Sequence, residues 1–147
     1  RLKADVVCSN YNFDGTALEN LVDPYTIIRR GGKKIAVIGV LTDIMEVVDN
    51  EIAKALTYQE PADIVTRLAV YLKEERCCDM VICLSHLGFK EDKELAAQIR
   101  SVDLIVGGHS HTLLENKQVV KDLAGEEVVI VQNWKWGLNV GQLSIDF

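Results

Sequence analysis

Two short apolar runs, 79–84 and 103–106, flank a segment of helical periodicity, and this alternation constrains the fold more than any other feature of the chain. A continuous apolar run of this length suits a strand buried on both faces, as in a parallel sheet. Between the runs, Asp92 is placed to cap a helix extending to about Arg100, with Leu95, Ala96 and Ile99 on one face. Strand, helix and strand in that order form a βαβ unit, whose strands run parallel. A second helix is expected over 61–76, where Pro61 suits the first turn and Ile64, Val65, Leu68, Ala69 and Leu72 share a stripe.

The flanks read as β-rich. Segments 24–30 and 34–41 surround Gly31-Gly32 and predict a hairpin, with 34–41 apolar on both faces and so inside the sheet. Segment 4–9 reads as a short buried strand and 10–19 as a polar loop turning at Asp14-Gly15. Segment 46–56 is a weak helix, 113–127 a polar loop turning at Gly125, and 128–132 and 139–147 the last two strands. One α/β domain with antiparallel pieces at the start and end accounts for this order.

Composition narrows the function. The chain has 147 residues, 48% of them hydrophobic and 26% charged, a globular balance sufficient for one core. A net charge of −6 leaves no electrostatic footprint for a nucleic-acid polymer, and no apolar run is long enough for a membrane span. A small anionic substrate stays possible, because a bound divalent metal can dominate the local field. Cys8, Cys77, Cys78 and Cys83 show no zinc-finger spacing, and Cys8 and Cys83 are expected to be small buried hydrophobes.

The chain has three histidines, His86, His109 and His111. His86 follows the first strand of the βαβ unit, and His109 and His111 follow the second. All three therefore converge on the C-terminal edge of the sheet, where open α/β sheets place their ligand sites. Gly107-Gly108 permits a tight turn ahead of the pair, and an extended loop would project His109 and His111 to one side. Three imidazoles there suit a transition metal. A lone histidine is usually an ordinary core or surface residue, but three at adjacent strand ends are harder to dismiss. Ser85 and Ser110 lack the spacing of a catalytic dyad.

The blocks Leu84-Ser85-His86-Leu87-Gly88 and Gly107-Gly108-His109-Ser110-His111-Thr112 resemble two consecutive signatures of the 5′-nucleotidase metallophosphoesterases, within the calcineurin-like superfamily. Residues 34–40, Ser9-Asn10, Val131-Gln132 and Gly141-Gln142-Leu143 resemble its flanking segments. The resemblance implies a layered αββα fold, a β-sandwich flanked by helices, and hydrolysis of nucleoside 5′-phosphates or related phosphoesters by two divalent metals (zinc, manganese, iron or cobalt). By motif, His86 and His109 would bind one metal and His111 the other. Asn10 matches a position that is not a ligand, and Asp43 reads as a turn or cap residue.

The family's Asp-x-His, bridging Asp and Asn-His motifs have no counterpart in the chain. Residues 1–147 are thus expected to be an N-terminally incomplete domain that also lacks the family's C-terminal nucleotide-binding domain. The family's catalytic histidine would lie upstream of Arg1, so no catalytic residue is assigned here. The chain alone is expected to bind metal weakly, to be nearly inactive, and to self-associate or pair with the missing segment through an open sheet edge. The resemblance implies a periplasmic or extracellular location. Two other readings stay open: a non-catalytic fragment or binding module acting through a partner chain, and an anion-binding α/β domain, although no GxGxxG or P-loop pattern supports the latter.

Overall fold

The computed structural model describes residues 3–45, 48, 54 and 56–147. Its centre is a six-stranded mixed sheet. In chain order the elements are β1 (Tyr11–Asn12), β2 (Tyr25–Arg30), β3 (Lys33–Leu41), β4 (Thr57–Tyr58), α1 (Pro61–Glu74), β5 (Met80–His86), α2 (Phe89–Gln98), β6 (Leu104–Val106), β7 (Gln118–Lys121) and β8 (Glu127–Val131). The large sheet runs β2-β3-β5-β6-β8-β7, while β1 and β4 pair separately. β3, β5, β6 and β8 are parallel neighbours, and the two edge strands, β2 and β7, are antiparallel to theirs. This is the mixed α/β sheet flanked by helices that the alternation predicts. The expected weak helix at 46–56 lies mostly outside the described residues.

The core follows from the two periodicities. Along β3 and β5 alternate residues, Ala36, Ile38 and Val40, then Val81 and Cys83, point to the helices and are buried. They meet Val65, Ala69 and Leu72 of α1, each fully buried, with Leu95, Ala96 and Ile99 of the second helical segment beside them. Fully burying a valine, leucine or isoleucine side chain contributes about 1.5–3 kcal/mol, and an alanine less. The opposite face of the sheet is less covered: Leu84 is 43% and Val106 36% exposed.

Several expectations need correction. Segment 4–9 is not a buried strand, since Val7 makes only an isolated bridge to Asp23 and its neighbours are largely exposed. It instead lies across the sheet, with the Ser9 amide donating to the Gly39 carbonyl at 2.7 Å, so it cannot form a ladder of its own. Segment 113–127 is not all loop: β7 forms within it and pairs with β8. That pairing explains a second miss. β8 has β6 on one side and β7 on the other, so 139–147 cannot pair with it, and that segment contains no strand. Asp92 is not a helix cap. α2 begins three residues earlier, after Gly88 at φ +119°, and Asp92 sits inside the first turn.

Cys78 and Cys83 are buried, Cys8 is only half-buried, Cys77 is exposed, and all four are free. Asn10 is fully buried and ties its segment to the end of β3, accepting from the Leu41 amide at 2.9 Å and donating to the Leu41 carbonyl at 2.8 Å. Asp43 accepts from the Met45 amide at 3.0 Å, which is the turn role expected of it.

Candidate metal centre

Parallel pairing brings the histidines to one edge. Leu84 of β5 lies opposite Val106 of β6, so both strands deliver their next residues to the same end of the sheet. His86 is itself the last residue of β5, two residues later than the expected end of that strand, and is paired with Leu41. The rings of His86 and His109 meet edge to face, 5.2 Å between centroids. His111 lies near enough for its charge to act on His86.

The loop after β6 is not extended. His109 and His111 both hold left-handed backbone, φ +65° and +52°, with Ser110 between them. Such a conformation costs a residue with a Cβ about 1–2 kcal/mol. Two such residues within three positions mark stored strain of the kind that clusters at functional sites. Gly108 keeps the approach free of crowding: a Cβ there would lie 3.2 Å from both His86 Nδ1 and the Ser85 carbonyl oxygen, which would have to give by a few tenths of an ångström. Without a side chain, the loop settles against His86.

A hydrogen-bond network that the sequence reading missed holds this geometry. Gln132, 2% exposed, donates to the Gly108 carbonyl at 2.9 Å and accepts from the Ser110 hydroxyl at 3.2 Å. Ser110 also accepts from the Phe89 amide at 3.0 Å, tying the histidine loop to the start of α2. The Trp134 amide donates to the Thr112 carbonyl at 2.9 Å, anchoring the far end of the loop. Beneath it, Ser85 donates to the buried Asp92 carboxylate. Ser85 and Ser110 are thus structural, which agrees with their poor spacing for a dyad.

Burial, reinforced by the charges of His109 and His111, pulls the His86 imidazole below its ordinary pKa. The shift favours the neutral imidazole, the form that can bind a metal. By type the donors fit a divalent transition metal. Among the described residues, however, no three ligating side chains converge closely enough to hold an ion. His86 also borders an open apolar cavity of about 680 Å³ on the less-covered face, lined by Val7, Val40, Leu41, Leu84 and Val106.

No protein-family model matches the chain. It is 28% identical over 133 residues to the trifunctional nucleotide phosphoesterase protein YfkN of Bacillus subtilis, a match covering 90% of this chain and 9% of that protein. It is 28% identical over 160 residues to the snake venom 5′-nucleotidase of Gloydius brevicauda, covering 97% of this chain and 26% of the relative. The 5′-nucleotidase precursor from Thermus thermophilus superimposes with a TM-score of 0.82 at 31% identity, over 90% of this chain and 28% of that one. The calcineurin-like phosphoesterase YfkN superimposes at 0.67 over 90% of this chain and 47% of that one, with 20% identity. The fold is that of its calcineurin-like phosphoesterase neighbours. The relatives and structural neighbours that the chain matches include 5′-nucleotidases. It spans between 9% and 26% of the length of these two curated relatives.

Proposed function

We propose that this chain supplies part of the metal site of a phosphoester hydrolase that acts on nucleoside 5′-phosphates or related phosphoesters. The observation that carries the reading is the approach of His86, at the end of β5, and His109, in the loop after the neighbouring parallel strand β6, with ring centroids 5.2 Å apart at the sheet's C-terminal edge. His86 and His109 would hold one divalent ion, and His111 a second. Zinc, manganese, iron and cobalt all suit such donors. When bound, the pair of ions would supply a polarised phosphate and an activated water. The chain's own residues hold the imidazoles: Gly108 admits His86, and Gln132 and Ser110 brace the loop.

Residues 1–147 form one partial domain in this reading. Three imidazoles with no bridging carboxylate cannot close a two-metal site, so the chain alone binds metal weakly and is nearly inactive. No catalytic residue on it is assigned. The apolar cavity beside His86 supports pairing with another chain segment or self-association, which elution volume across concentrations would test. The relatives' names favour a periplasmic or extracellular location, since a venom 5′-nucleotidase is among them. Among the described residues no helix is long and apolar enough to cross a membrane.

The test is zinc, manganese and cobalt titration, with AMP hydrolysis, on the chain and on its His86→Ala and His109→Ala variants. The expected result is weak metal binding that both substitutions abolish, with hydrolysis near background. Robust metal-dependent hydrolysis by the chain alone would overturn its assignment as a partial site. No metal binding in a well-folded chain would hand the lead to a binding module that acts through a partner.

A further inference from the structure

The carboxyl group of Asp92 is fully buried on the first turn of α2. One oxygen, Oδ1, receives the Ser85 hydroxyl. The other, Oδ2, has no hydrogen-bond partner among the described residues. Oδ2 faces Gly107 so closely that a Cβ built on that glycine would lie 2.3 Å from it. Ser85 is the residue before His86, and its oxygen also accepts from the Leu87 amide at 3.2 Å, holding the bend after the histidine. Gly107 opens the loop that carries His109, and its amide is pinned to the Val131 carbonyl at 2.8 Å. One carboxyl group therefore touches both histidine-bearing segments.

Leaving a buried polar atom unpaired costs about 1–3 kcal/mol, and each such atom in a native structure calls for an explanation. Helix formation supplies none. An alanine or leucine at 92 would favour the helix more and would carry no orphaned oxygen. Among the described residues, the carboxyl is bonded by Ser85 at the end of β5 and lies against Gly107 after β6. We propose that Asp92 is a positioning residue of the histidine edge: bonded to Ser85 and seated against Gly107, it sets how closely the His86 and His109 segments approach.

The metal part of this inference rests on the phosphoesterase reading; the positioning part does not. Two variants test it. Asp92→Asn keeps the size of the side chain but places an N–H₂ group where a carboxylate oxygen faces Gly107. Ser85→Ala leaves Asp92 in place and removes the bond to the strand end, so it carries the test if the first variant fails to fold. The first readout is the proton–proton nuclear Overhauser effect between the His86 and His109 rings in the metal-free chain, alongside circular dichroism and melting. The second is zinc affinity by calorimetry.

The expected result is loss or strong weakening of the ring-to-ring signal in both variants at unchanged helix content. Zinc affinity should fall about 10-fold, the usual cost of disturbing residues behind a metal ligand. The double variant should lose no more than the worse single variant, because both act through one bond. A ring-to-ring signal at wild-type strength in folded variants, or fully additive losses, would overturn the proposal. If the signal weakens as expected but even the unsubstituted chain shows no zinc affinity, the positioning role stands and the metal reading fails.

Discussion

Asp92 should leave a signature in the pH dependence of folding. Burial pushes its carboxyl up from an ordinary 3.8 to about 6; the Ser85 hydroxyl opposes this, and the charge of Glu91 adds to it. The sign follows from proton linkage. Between those two values the unfolded chain has released the proton while the native chain still holds it, so stability falls as pH rises through the window. The stabilisation is complete below about pH 4 and gone above about pH 6. Two pKa units correspond to about 3 kcal/mol. Asn at 92 cannot titrate, so the difference in unfolding free energy, wild type minus Asp92→Asn, should drop by roughly that amount between pH 4 and 7. Urea denaturation at half-unit pH steps measures it, and the other carboxylates cancel in the difference. A difference curve that is flat, or that rises with pH, would refute the idea that this carboxyl is desolvated under the loops.

Four further outcomes follow from the same geometry. Gly39→Ala would place a Cβ 2.2 Å from the Val7 carbonyl oxygen, a backbone atom, and should destabilise the fold by about 1–3 kcal/mol in thermal melts. Gln132→Met keeps the volume but loses the bonds to Gly108 and Ser110; about 1–3 kcal/mol of stability should go, with amide shifts confined to 107–112. His111→Gly relieves a left-handed residue at φ +52°, so stability should rise by about 1 kcal/mol while zinc affinity falls; a fall in stability with zinc affinity unchanged would show that the ring packs rather than ligates. Asp79, held below its usual pKa first by the Lys34 amide and then by Lys33, stabilises the fold above that pKa and loses the contribution in acid, so Asp79→Asn should flatten the acid limb of the stability curve.

The histidine edge and the network beneath it differ in how they work. His86, His109 and His111 carry donor chemistry that any well-placed imidazole would have. Their placement depends on residues that carry none: two glycines at the turn, a buried glutamine, and a serine bonded to an acid. That division explains why the strain at His109 and His111 can persist. The Gln132 and Ser110 bonds, and the anchor between Thr112 and Trp134, hold a loop that left-handed backbone alone would not favour.

Periodicity and chemistry within short windows were enough for much of this. The stripe from Ile64 to Leu72 marks α1, the apolar runs mark β3, β5 and β6, and Gly31-Gly32 marks the hairpin, because helices and strands bury one face at a spacing that the chain itself displays. The parallel order of β5 and β6 then carries the three histidines to one edge without further information. What local windows could not settle depended on competition for partners. Segment 139–147 has strand-like alternation, yet β6 and β7 already occupy both sides of β8, a fact set by residues far away in sequence. Segment 4–9 is apolar, yet it lies across β3 at Gly39 rather than inside the sheet. Asp92 looks like a cap because acids favour helix starts, and only the fold places Ser85 and Gly107 around its carboxyl. Hydrogen-bond partners are chosen by proximity in space, and proximity is decided after the local elements have formed.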